Sequence, residues 1–166
     1  MAQKKFDYSI DFASTDFRKN PELYVVGKGE QGVLLVEPYK SELLPHWRFK
    51  TPAIAKDSST KLYDMFIKYR DQHDIVGMDM ARKFIQMGYT RAKRYANHKS
   101  GKKYLGPVPL DKKGQSGAHG RAMLPLQVDE EKAAAAEIFL EVLTKVKADL
   151  NYKDAKEQHL LTYNKA

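Results

Sequence analysis

The chain contains no cysteine. That excludes a disulfide framework, a thiolate metal site and a cysteine nucleophile, and it fits a reducing compartment. No apolar run approaches the roughly 18 residues that a membrane span needs, so no membrane partner is expected. The opening MAQKKFDYSIDF has two lysines but no apolar stretch behind them. It predicts no secretory leader, and a cytoplasmic location is the expectation. The histidines, His46, His73, His98, His119 and His159, are dispersed without metal-ligand spacing, so neither a metal nor another cofactor is expected. One further absence is local: no acid occurs between Met80 and Leu110.

That local absence has a positive counterpart. Met80 to Val128 holds eleven Lys/Arg and one acid, Asp111, a net +10, whereas the whole chain is +8. The excess positive charge therefore lies in one contiguous block. Solvated helix faces usually mix signs, and a block of one sign suits a polyanion.

At 166 residues and 42% apolar, the chain is long enough for one domain with a real core. Phe6, Tyr8, Ile10 and Phe12 alternate with polar residues, which reads as a half-buried strand. Leu23–Val26 and Val33–Glu37 flank a glycine-rich turn and read as a hairpin. Trp47 reads as a core anchor, sharing a strand face with Phe49, or as part of an aromatic, basic rim with His46, Arg48 and Lys50. Thr51-Pro52 starts a helix, and Asp57-Ser58-Ser59-Thr60 is a second capping signal that would divide it. A helix follows from about Met78 to Asn97. Asp79, Arg82, Lys83, Gln86, Thr90, Lys93, Arg94 and Asn97 form its polar face. Ala81, Phe84, Ile85, Gly88, Ala92, Tyr95 and Ala96 lie opposite. Gly88 implies either close packing or a break, since Gly costs up to ~1 kcal/mol in a helix interior.

From His98 to Val128 periodicity stops, and the Gly-rich, basic stretch is expected to order only on binding. Asp129 caps the last clear helix, with Glu130 and Glu131 in its first turn. Residues 151–166 read as a tail adding a turn or two. The resulting expectation is an α+β fold: a small N-terminal antiparallel sheet with a Gly-turn hairpin, packed against about four helices. A single domain covers 1–166, with strands mainly in 6–50, helices in 51–98, a basic loop in 99–128 and a helix in 129–150.

Two candidate sites follow. Arg82, Lys83, Arg91, Lys93, Arg94, Lys99, Lys102 and Lys103 are candidates for weakly sequence-specific contacts to DNA or RNA, with Tyr89 and Tyr104 able to stack on bases. Gly27, Lys28, Gly29 and Gly32 match G-x-G-x-x-G and offer an alternative, a phosphate-cradling loop for a phosphorylated small molecule. The strand-like VLLVE that follows does not supply the helix of a dinucleotide fingerprint. Simple turn chemistry explains the same glycines. No catalytic residue is assigned. Glu30, Glu37 and Glu42 share only a region of the chain, and Glu37-x-x-Lys40 is one residue longer than a nuclease acid-x-Lys.

DFRKNPELYVVGKGEQGVLLVEPYKSELLPHWRFKTP and VGMDMARKFIQMGYTRAKRYANH resemble a family of small bacterial, fungal and phage proteins described as a domain of unknown function. The resemblance spans roughly Phe6 to Leu150 and these two segments are specific to it. It implies a soluble, single-domain protein, in some cases phage-borne, and brings no assigned catalytic or binding residue with it. A phage-type effector that engages an acidic host protein is the remaining alternative, and net charge does not separate it from nucleic-acid binding.

Overall fold

Five α-helices frame the computed structural model, which describes residues 4–27, 29–98, 101–115 and 117–165. They are α1 (Tyr39–Leu43), α2 (Pro52–Asp71), α3 (Ile75–Asn97), α4 (Glu130–Ala148) and α5 (Leu150–Tyr163). Four of them start on a side chain that accepts a backbone N–H of the first turn. Thr51 accepts from Ile54, Asp74 from Gly77, Asp129 from Lys132 and Asp149 from Tyr152. Such caps satisfy donors that the helix leaves unpaired. Thr51 and Asp129 act as the sequence predicts. The second capping signal does not divide α2. The Ser58 hydroxyl instead donates to His46 O at 2.6 Å and accepts from Arg48 N at 2.9 Å, holding the preceding segment against an unbroken helix.

The three long helices α2, α3 and α4 pack against one another, and α5 closes on α3. Leu62 and Phe66 of α2, Phe84 and Ile85 of α3, and Phe139 and Val146 of α4 are fully buried in one cluster. Each such side chain contributes about 1.5–3 kcal/mol through burial. Gly88 has a packing reason rather than a break. A Cβ there would collide with the Phe139 ring of α4, so the missing side chain sets how closely α3 and α4 approach. Trp47 packs on the same core, edge-on to Phe84 with ring centroids 6.5 Å apart.

The expected N-terminal sheet is absent, and the fold is all-helical rather than α+β. The described residues form no sheet, and their extended pairing is limited to isolated bridges such as Tyr104 to Met123. The cause lies in the polar residues between the aromatics. Asp7 accepts from Ser9 N at 2.9 Å, Asp11 engages Ser14 and Thr15, and Asp16 accepts from Arg18 N and Lys19 N. Asp7 and Asp16 turn the chain by capturing backbone N–H groups that a strand would give to a ladder, and Asp11 gathers the hydroxyls of Ser14 and Thr15. Phe6, Phe12 and Phe17 still associate, as a ring stack with centroids 5.7 and 5.9 Å apart.

The expected hairpin fails for a related reason. Val33 and Val36 are buried while Leu34 and Leu35 are exposed, a spacing of three instead of two. Val33 N donates to Glu30 O and Leu35 N to Gly32 O, both at 3.0 Å, so this segment is coiled into turns. Residues 24–26 are extended and form no ladder with another described segment. Val26 N donates to the Asn164 side-chain oxygen at 2.9 Å, and Tyr24 O accepts from Asn164 Nδ2 and meets His159 Nε2 at 2.7 Å. Side chains at the end of α5 thus do the work of a neighbouring strand. The tail expected to add a turn or two is the full helix α5, and this contact is what it is for.

Candidate functional site

The polar face of α3 divides into two environments. Its N-terminal half is buried. Asp79, Arg82 and Lys83, spaced i, i+3 and i+4, expose 0%, 2% and 0% of their surface. Asp79 is the hub. Its carboxylate accepts from Tyr24 Oη, from Tyr152 Oη at 2.5 Å and from Arg82 Nη2 at 2.9 Å. Arg82 also donates to Gly29 O at 2.7 Å, Gly27 O at 2.9 Å and Gln86 Oε1 at 2.8 Å. Lys83 Nζ donates to Gln31 O at 2.7 Å and lies 3.8 Å from Asp79 Oδ2. Burial alone would raise the Asp79 carboxyl, but Arg82 and Lys83, helped by the two tyrosine hydroxyls, hold it down at about 2. Burial pulls the Lys83 ammonium the other way, to about 8, against the opposing pull of Asp79. Asp79 is therefore an anion, and the cluster is ionic.

Arg82 and Lys83, expected at a nucleic-acid surface, are thus turned inward. Their length lets them reach the 24–31 segment, whose carbonyls have no ladder and need donors. The same contacts redefine the glycine turn. Gly27, Gly29 and Gln31 present carbonyl oxygens to the buried cations, the reverse polarity of a loop that cradles phosphate with N–H groups. Gly32 has φ +78°, and a Cβ there would enter the Phe6 ring. Its glycine is required by the turn and by close packing. Lys28 lies outside the described residues.

The C-terminal half of α3 is different. Arg91 and Lys93 are exposed and Arg94 is half-buried. Lys93 leans over the Tyr89 ring, 5.8 Å from its centroid. Arg91 and Arg94 form one wall of a concavity of about 900 Å³, and the 101–124 loop forms the other. Lys102, Lys103 and Arg121 add three further cations, and none of the described residues lining it is acidic. Lys99 lies outside the described residues.

The loop is built to hold this shape. Arg94 donates to Gly101 O. Leu105 N bonds Ala122 O and Leu124 N bonds Lys103 O, each at 2.8 Å, pinching the loop across its neck. Arg121 donates to the carbonyls of Ala118, Gly117 and Gly106 and stacks its guanidinium over Tyr104, 4.9 Å from the centroid. Gln127 N and Asp129 N bond the carbonyls of Asn97 and Ala96, which fastens the loop to the end of α3. These are the internal contacts of the stretch expected to order only on binding.

Of the eight nucleic-acid candidates, four line this concavity: Arg91, Arg94, Lys102 and Lys103. Lys93 stands on the same helix outside it. Arg121 is not among the eight, although its charge is visible, because a Gly-rich sequence gives no sign of what an arginine will organise. The tyrosine partners of Asp79 leave no sequence signal either. Tyr24 and Tyr152 are 55 and 73 residues away from it, beyond any local pattern. No group of His, Asp or Glu residues among those described is arranged to hold a metal ion. No described helix is long and apolar enough to cross a membrane.

An all-helical domain with a buried ion cluster and a cationic concavity is what the residues build. The chain belongs to the family described as a domain of unknown function, DUF4385, which it matches over residues 7–162. No curated protein and no solved structure matches it.

Proposed function

We propose that the protein binds nucleic acid, with weak sequence preference, through the concavity between the C-terminal half of α3 and the 101–124 loop. The observation that carries this reading is a lining with Arg91, Arg94, Lys102, Lys103 and Arg121 and no acid among its described residues. Cations that neutralise phosphates release condensed counterions, which gives affinity without base contacts. The cations come from two elements tied together by backbone hydrogen bonds, which supports their acting as one surface. Arg82 and Lys83 have no part in this surface.

Fluorescence anisotropy with generic duplex and single-stranded DNA and RNA, across a salt series, tests it. Binding of about 1–100 µM that falls steeply with salt is expected. Arg91→Glu combined with Lys102→Glu should weaken every ligand alike and lower the salt slope by about 1 for each phosphate that is no longer neutralised. Lys147→Glu, an exposed charge on α4, should leave binding nearly unchanged. Absence of binding at low salt would sink the proposal. Capture of an acidic protein by the same concavity, abolished by the same substitutions, would replace it.

A further inference from the structure

The buried cluster carries more positive charge than its carboxylate can balance. Asp79 supplies one negative charge against two cations, Arg82 and Lys83, and Arg82 holds that carboxylate at hydrogen-bonding distance while Lys83 stands off at 3.8 Å. An ammonium has three donors. Among the described residues that of Lys83 makes one hydrogen bond, to Gln31 O. Its other neighbours are ring faces, Tyr24 at 4.7 Å and Phe6 at 5.8 Å from their centroids. A fully buried cation left this short of partners is costly unless something completes it.

Space for that something lies beside it. Lys83 forms the inner wall of a cavity of about 310 Å³, with Phe6, Val25, Gly27 and Gln31 around it and Lys4 and Lys5 at the mouth. None of the described residues lining the cavity is acidic. The backbone of Lys4 is anchored, since Lys4 N donates to Asn164 O at 2.8 Å. We propose that this cavity binds a small phosphate-bearing molecule, with Lys83 as the buried charge at its inner end and Lys4 and Lys5 as its outer contacts.

Three independent lysines suit a phosphate, whose charge is spread over several oxygens that separate point charges can approach. A planar carboxylate is better matched by an arginine fork, and the fork of Arg82 is already engaged by Asp79, Gly27 and Gly29. A volume near 300 Å³ is at the small end of ligand sites and fits a phosphate with a modest organic part. This site shares no residue with the cationic concavity, so it stands or falls separately from nucleic-acid binding.

Isothermal titration of the full chain with inorganic pyrophosphate, against sulfate and chloride at matched ionic strength, tests the proposal. One saturable site selective for pyrophosphate is expected. Lys83→Met should weaken it by about tenfold or more, a change of ~1.4 kcal/mol. Lys4→Gln with Lys5→Gln should weaken it by a smaller factor, and Arg91→Glu with Arg94→Glu should not change it. Three results would overturn the proposal: no saturable binding, undiminished affinity in Lys83→Met, or loss of binding in the α3 surface variant. Should Lys83→Met not fold, the Lys4/Lys5 variant decides, and unchanged affinity there overturns the site.

Discussion

Lys83 gives a stability prediction whose sign and size can both be worked out. Its pKa falls from an ordinary 10.5 to about 8, first because burial penalises the charged form, with Arg82 and Lys156 adding to the shift and Asp79 opposing it. Below about pH 8 the folded and unfolded chains both hold this proton, and the full cost of a buried charge is present. Between about 8 and 10.5 the unfolded chain still binds the proton and the folded chain does not. Stability therefore rises with pH through that window. A shift of about 2.5 units corresponds to ~3 kcal/mol at ~1.36 kcal/mol per unit. Buried Tyr24 and Tyr152, whose pKa values are raised by burial and by Asp79, limit the usable range. Above about pH 10 they remain protonated in the folded state while unfolded tyrosines ionise, which favours unfolding. Urea unfolding of the native chain and of Lys83→Met, from pH 7 to 9.5, isolates the effect because the other groups cancel in the difference. ΔG of the native chain minus that of Lys83→Met should rise by about 2 kcal/mol over this range. The offset at pH 7 is not diagnostic. The variant loses a charged hydrogen bond of about 1.5–3 kcal/mol to Gln31 O, close to the penalty it relieves. A difference that stays flat to within about 0.5 kcal/mol would refute the reading of Lys83 as a poorly compensated buried cation.

Three further substitutions probe the frame. Gly88→Ala gains up to ~1 kcal/mol in helix propensity but drives a methyl into Phe139, and overpacking of about 1–3 kcal/mol should win, lowering the urea midpoint. Asp149→Ala removes the N-cap of α5 and the partner of Arg70, 2.7 Å away; thermal melts should show a loss of about 0.5–2 kcal/mol. The Asp149 carboxyl is held below its ordinary value, since the Tyr152 N–H and Arg70 outweigh the effect of burial, so its contribution is present near neutrality and fades as acid protonates it. Arg82→Lys keeps the charge but not the fork that spans Asp79, Gly27 O and Gly29 O; loss of about 3 kcal/mol or more, with faster amide exchange in residues 24–32, is expected. Near-native stability of Arg82→Lys would mean that charge alone holds this segment.

The long helices α2, α3 and α4 are legible in the sequence because their signals are local, whereas α1 and the full length of α5 are not. Thr51-Pro52 and Asp129 lie within one turn of the N–H groups they cap, and Gly88 announces either a break or a close approach. The N-terminal third is not legible from alternation alone. Phe6, Tyr8, Ile10 and Phe12 do alternate with polar residues, but the Asp7 side chain captures Ser9 N and Asp11 O accepts Ser14 N, and those local bonds compete directly with a ladder. The buried half of the α3 polar face is hidden for a different reason. A polar stripe identifies a face, not what covers it. The cover over Asp79, Arg82 and Lys83 is the 24–31 segment together with Tyr152 of α5. Nothing in the spacing of Arg82 and Lys83 distinguishes them from Lys93 and Arg94 further along the helix.

Both departures from expectation have one physical cause. Where the described residues form no sheet, an extended segment must still satisfy its backbone, and the carbonyls of Tyr24, Gly27, Gly29 and Gln31 turn to side chains. Asn164 and His159 serve Tyr24, while Arg82 and Lys83 serve Gly27, Gly29 and Gln31. The charges thus replace the missing ladder, and Asp79 offsets part of the cost of burying them. Replacing a buried ion cluster by apolar residues is often neutral or stabilising, so net stability does not account for this one. The guanidinium fork gives the 24–31 segment a defined position, which accounts for Arg82. It does not account for Lys83, whose single bond to Gln31 a neutral donor would supply without the charge. That surplus charge, beside a cavity edged by two more lysines, is the feature for which a ligand is the simplest explanation.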